Sequence, residues 1–119
     1  MIYKSNSVGN EITCIMYGIK DVVLNDVKFL EKYLLGCAKE ENFKILDKIS
    51  HKFKPHGFTA ILLVQESHIA IHTYPEYNCL VFNIYSCRDW KDGRKAVEFF
   101  KKAVNPAKVS FRENRVEIN

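Results

Sequence analysis

Phe58 to Cys87 reads FTAILLVQESHIAIHTYPEYNCLVFNIYSC. Three apolar runs stand out in it: Phe58 to Val64, His68 to Tyr74 and Cys79 to Cys87. Each is short for a helix and rich in Ile, Val, Leu and Phe, which suits a strand. The links between them are brief, and Pro75-Glu76-Tyr77-Asn78 holds turn-forming residues. Strands joined so closely pair antiparallel. The segment therefore predicts three neighbouring antiparallel strands, with Phe58 to Val64 fully buried.

The flanks extend the pattern. Upstream, Glu11 to Tyr17 (EITCIMY) reads as a strand and Gly18 to Leu24 as a connection. Asn25 or Asp26 can cap a helix running to about Lys39. Val27, Leu30, Leu34 and Cys37 share one face of it, widened by Phe29 and Tyr33. Phe43 to Phe53 reads as a strand in which Phe43, Ile45, Ile49, His51 and Phe53 alternate, and Pro55-His56-Gly57 turns the chain. Downstream, Asp89 can cap a second helix through about Val104. Ala96, Val97, Phe100, Ala103 and Val104 face inward there, and Pro106 ends it. Lys108 to Ile118 reads as one strand or a short hairpin. The order β-α-β-β-β-β-α-β predicts an α+β fold, a two-layer sandwich of an antiparallel sheet with two helices on one face. The sheet's other face must be solvated, covered by a partner or used for a ligand. His72, Asn83 and Cys87 put polar groups among apolar ones there.

Composition bounds the rest. A chain of 119 residues fits one domain, 1–119. With 47% hydrophobic and 27% charged residues it is an ordinary globular composition. No apolar run approaches the ~18 residues of a membrane span. The opening MIYKSNSVGNEIT lacks a signal peptide's apolar region, so a cytoplasmic protein is expected. The net charge of +4 is mild. Lys91, Arg94, Lys95, Lys101 and Lys102 read as the solvated face of a helix, so neither nucleic acid nor membrane is an expected partner. Of the four cysteines, Cys14, Cys37 and Cys79 read as small buried hydrophobes.

The densest chemistry lies in Gln65 to Glu76: a hydroxyl, two imidazoles, carboxylates and a tyrosine within twelve residues. A metal held by His68 and His72 with Cys79 or Cys87 is one reading. On a strand, however, those histidines sit about 13 Å apart, whereas metal–ligand bonds are about 2.0–2.3 Å. A Ser–His or Cys–His hydrolase is another, but no GxSxG elbow is present. Two histidines merely satisfied on a sheet face are the third.

The string ESHIAIHTYPE (Glu66 to Glu76) resembles the self-cleavage motif of the prokaryotic pyruvoyl-dependent S-adenosylmethionine decarboxylase proenzymes. The resemblance continues upstream in HKFKPHGFTA (His51 to Ala60) and downstream in Cys87 of IYSC. It implies a zymogen that breaks between Glu66 and Ser67 into chains 1–66 and 67–119. The Ser67 hydroxyl would attack the Glu66 carbonyl, and His72 would act as proton acceptor, a role that suits a neutral imidazole. Ser67 would end as a pyruvoyl group. That group would form a Schiff base with the substrate amine and act as electron sink, with no metal and no pyridoxal phosphate. Cys87 would return a proton to the substrate carbon, which suits a protonated thiol. Thr59 would assist processing, in a place where the family commonly has serine. Phe53 and Tyr74 would stack on the adenine of S-adenosylmethionine, and Glu76 would bind its ribose. His68 receives no role beyond a local hydrogen bond. A homodimer of processed protomers feeding spermidine and other polyamine biosynthesis is implied as well.

The first strand departs from the family pattern, with Glu11 in place of a histidine and Ile15 in place of an acid; Tyr74 stands where many members carry Trp. Relatives with the same machinery decarboxylate arginine or ornithine, and Glu11 is the acid that could meet their distal cation. A catalytically silent regulatory paralogue is a further alternative, against which the complete set Ser67, His72 and Cys87 speaks.

Overall fold

The three central runs form consecutive antiparallel strands in the computed structural model, which describes residues 6–118. They are β3 (Phe58–Gln65), β4 (Ser67–Tyr74) and β5 (Cys79–Ser86), with a single 3-10 turn, Pro75–Tyr77, between the last two. Three more strands, β1 (Val8–Tyr17), β2 (Lys44–Lys52) and β6 (Lys108–Glu117), complete a six-stranded sheet in the order β2-β3-β4-β5-β1-β6. Every neighbouring pair is antiparallel. Helices α1 (Asp21–Leu24), α2 (Val27–Glu40) and α3 (Arg94–Val104) make up the second layer. The expected α+β sandwich is the fold. The leader reading draws partly on residues 1–5, which lie outside the described residues.

Local chemistry explains the helices. The Asp26 carboxylate accepts from the Phe29 N–H at 3.1 Å and so caps α2. Leu30, Leu34, Cys37 and Ala38 then fall on the buried stripe. Gly36 lets α3 approach, because a Cβ there would sit 2.6 Å from the Phe99 ring. Two boundaries differ from expectation. The Gly18–Leu24 connection contains the one-turn helix α1. The second long helix starts at Arg94, not near Asp89: the Asp89 carboxylate accepts from the adjacent Trp90 N–H, and the chain turns through Gly93 at φ +100°. A side chain is strained at that angle.

The core lies between helices and sheet. Ile12, Cys14 and Met16 of β1, Ile69 and Ile71 of β4, and Leu80, Phe82 and Ile84 of β5 all point into it. Phe82 meets Phe100 of α3 at 5.3 Å between ring centroids. The expectation of a fully buried β3 is corrected. Phe58, Ala60, Leu62 and Val64 are buried, but Ile61 and Leu63 are 36% and 51% exposed, because helices cover only one face. The alternation in β2 also changes face: a bulge between Ile45 and Asp47 leaves Ile45 opposite buried Val64 and Ile49 opposite exposed Ile61.

Pairing register then orders the open face into rows. One row runs Leu63, His68, Tyr85, Glu11; the next Ile61, Ala70, Asn83, Thr13; the third Thr59, His72, Val81, Ile15.

Candidate active site

The sequence-predicted residues fall into two groups at opposite ends of β4. At its start, Ser67 lies opposite Val64 on the buried side. Its hydroxyl oxygen is buried and has no hydrogen-bond partner among the described residues. Cys87, just past the end of β5, donates its thiol to the Glu66 carbonyl at 2.6 Å. A hydroxyl, the carbonyl beside it and a thiol are therefore gathered at one turn. Cys14, Cys37 and Cys79 are buried, as expected, and burial pushes their thiols up; Cys87 is half-buried.

The residues after Cys87 are tied down. Arg88 forks onto Asp92 at 2.6 and 3.0 Å, Ser86 donates its hydroxyl to the same carboxylate, and the guanidinium stacks 3.9 Å from the Phe43 ring centroid. Burial raises the Asp92 carboxyl, but the Arg88 and Ser86 hydrogen bonds outweigh it and hold the group below the usual carboxylate range. Neighbouring Glu41, buried and accepting from the Ala96 N–H at 2.8 Å, is raised, chiefly by burial.

At the other end of β4, Thr59 Oγ1 and His72 Nδ1 are 3.1 Å apart. They line a cavity of about 320 Å³ with Phe53, His56, Gly57, Thr73, Tyr74 and Glu76. Thr73 accepts from the Phe58 N–H at 2.8 Å. His56 Nε2 lies 3.3 Å from Glu76 Oε2. Sequence reading assigned His56 no role; its signals were its place in the Pro55-His56-Gly57 turn and in the string HKFKPHGFTA. Within one chain His72 does not meet Ser67. They are five positions apart along β4, about 16 Å, and their side chains leave opposite faces of the sheet.

A third group crosses the open face between these two. Asn83 Nδ2 lies 2.6 Å from Glu11 Oε2, 3.0 Å from Thr13 Oγ1 and 3.2 Å from the Ile12 carbonyl. The Asn83 carbonyl lies 2.9 Å from His68 Nε2.

Comparison with known proteins places the chain among the carboxy-lyases. The family profile described as S-adenosylmethionine decarboxylase matches residues 10–116. An S-adenosylmethionine decarboxylase proenzyme of Carboxydothermus hydrogenoformans is 31% identical over 110 residues, 92% of this chain and 87% of its own. One from Acidithiobacillus ferrooxidans is 33% identical over 107 residues, 90% and 80% of the two chains. Against the longer proenzyme of Pseudomonas paraeruginosa, 32% identical over 90 residues, the match takes in 76% of this chain and only 56% of the relative. Among solved structures, the adenosylmethionine decarboxylase of Aquifex aeolicus VF5 superposes with a TM-score of 0.87 at 25% identity, over 97% of this chain and 95% of that one. The fold alone is shared with the Trypanosoma brucei AdoMetDC-delta26 monomer, at TM-score 0.61 and 13% identity over 86% and 44% of the two chains. The chain belongs to the S-adenosylmethionine decarboxylase proenzyme family found in bacteria. No helix among the described residues is long and apolar enough to cross a membrane.

Proposed function

We propose that this chain is a self-processing, pyruvoyl-dependent S-adenosylmethionine decarboxylase that works in the cytoplasm and supplies the aminopropyl donor for spermidine synthesis. The observation that carries the reading is the Cys87 thiol on the Glu66 carbonyl, beside the unpartnered hydroxyl of Ser67. A hydrogen bond to a carbonyl oxygen polarises its carbon and stabilises the charge that builds when a nucleophile adds. Ser67 Oγ adds to that carbon, the Ser67 amide nitrogen leaves it, and the amide becomes an ester. Removal of the Ser67 α-proton expels the Glu66 carboxylate. Water then replaces the nitrogen, which departs as ammonia, and a keto-acyl cap remains at residue 67. A buried hydroxyl committed to no other partner fits this conversion. The cap supplies an electron sink for the carbanion left when CO2 departs, and the Cys87 thiol stands ready to deliver a proton there.

His72 reaches Ser67 from a second copy of the chain. Two open faces packed with their strands reversed lay the His72 end of one subunit over the Ser67 end of the other. Exposed Ile49, Ile61 and Leu63 on that face would be buried by such packing. For His72 Nε2 to accept the proton, Nδ1 carries hydrogen and donates to Thr59 Oγ1. Phe53 and Tyr74 then supply stacking surfaces for adenine, and Glu76 a carboxylate for the ribose hydroxyls. Arginine or ornithine would ask for a carboxylate turned to a distal cation. Glu11 already accepts from Asn83 and Thr13 at 2.6 and 2.7 Å, which supports the sulfonium substrate.

The test begins with a gel and a mass spectrum. Wild-type protein should resolve into residues 1–66 and 67–119, and Ser67→Ala should stay whole. Only intact chain from the wild type would end the reading. CO2 release from labelled S-adenosylmethionine, arginine and ornithine then identifies the substrate.

A further inference from the structure

We propose that His68 is a positioning residue: linked through Asn83 to Glu11, it anchors the end of β4 that the backbone break sets free. The inference rests on the self-cleavage reading above.

The hydrogen-bond directions are forced. A carboxylate only accepts, so the Asn83 amide must turn its NH2 toward Glu11. Its carbonyl is then left facing His68. A carbonyl also only accepts, so His68 Nε2 carries the proton in the 2.9 Å bond. Thr13 donates its hydroxyl to Glu11 at 2.7 Å and accepts from Asn83 at 3.0 Å, which closes the set. One tautomer and one ring orientation satisfy every member. The Tyr85 ring lies against the imidazole, 6.3 Å between centroids and 24° from parallel. The link ties β4 to β5 and to β1 diagonally across two rows of the open face.

Cleavage gives this link its importance. In the intact chain Gln65 and Glu66 join β3 to β4 and hold Ser67 in place. Once the bond before residue 67 is broken, that residue is a chain terminus, and termini fray unless tied down. Its neighbours across the ladder are Val64 at its own position and Leu63 and Tyr85 beside His68. The reacting carbon must nonetheless stay beside Cys87. His68 is the first side chain of the new terminus, and it is fixed to two further strands.

The experiment compares His68→Ala and His68→Gln in the cleaved protein and in the uncleaved Ser67→Ala chain. Glutamine places an N–H close to where imidazole Nε2 lies. In cleaved His68→Ala, the amides of residues 68–72 should exchange with deuterium about tenfold faster than in cleaved wild type. The kcat should fall about 10–100-fold with KM within about twofold, the mark of a misplaced reacting group. His68→Gln should restore both. In the Ser67→Ala chain the turn still tethers β4, and exchange should not change. Equal acceleration in cleaved and uncleaved chains, or an unchanged kcat, overturns the proposal. Should His68→Ala fail to fold, Glu11→Gln weakens the far end of the same link and is read the same way. A wild type that never cleaves defeats the self-cleavage reading instead, so the two failures are distinguishable.

Discussion

The Cys87 thiol lies on the Glu66 carbonyl, next to Ser67 in the chain. On the family resemblance it only returns a proton late in turnover, so Cys87→Ala would spare cleavage. On the proposed cleavage, the 2.6 Å contact to the Glu66 carbonyl would give it an earlier part, at the carbon that Ser67 would attack. Losing one such donor to a developing oxyanion costs about 10²–10³ in rate. Cys87→Ala should therefore slow the appearance of the two fragments, followed on a time-course gel, and also depress turnover of whatever is cleaved. Cleavage at the wild-type rate would confine the thiol to its later role. Ser67, His72 and Cys87 could be proposed from the sequence because their order and spacing are a linear signature. The link from His68 through Asn83 to Glu11 could not, since those partners lie 15 and 57 positions away and only strand pairing joins them.

At the scale of elements, period and capping carried most of the reading. Asp26 caps α2 and Leu30, Leu34 and Cys37 line it because both signals are local. Three features escaped for physical reasons. An apolar run such as Phe58 to Val64 reads as buried on both faces until it is known which face the helices leave open. The β2 bulge preserves odd-numbered alternation in the sequence while reversing it in space. The start of α3 is set by the loop 86–93, whose order depends on Arg88, Asp92 and Ser86 meeting in three dimensions. That loop follows Cys87 in the chain, and its Asp92 carboxylate should make its order depend on acid. Asp92 titrates below its unfolded value of about 3.9. Its contribution is therefore complete above that value and fades as pH falls through the lower folded value. Asp92→Asn should lose about 1–3 kcal/mol at pH 7 in urea unfolding, and the gap to wild type should narrow as pH falls below the unfolded value of about 3.9. A gap of the same size in acid would mean that the charge of Asp92 is not what holds the loop.

For the whole molecule, the separation of the two groups along β4 decides what must be measured. If His72 serves the Ser67 of another copy, Ser67→Ala and His72→Ala chains each lack half of every site when alone. Mixed in one oligomer, they regain one complete site, built from the Ser67 of the His72→Ala chain and the His72 of the Ser67→Ala chain. Co-expressed chains with distinct tags should therefore yield cleaved His72→Ala chain, detected by mass, although neither variant alone does so. No cleavage in a verified mixed oligomer would remove the shared-site reading.

The two rim strands of the sheet carry a consequence of their own. A rim offers open amide and carbonyl groups, and like rims stacked side by side grow into fibres without limit. Here one rim reads KILDKISHK and the other KVSFRENRVE, each carrying charged side chains along its length. Charges placed along both margins discourage lateral polymerisation.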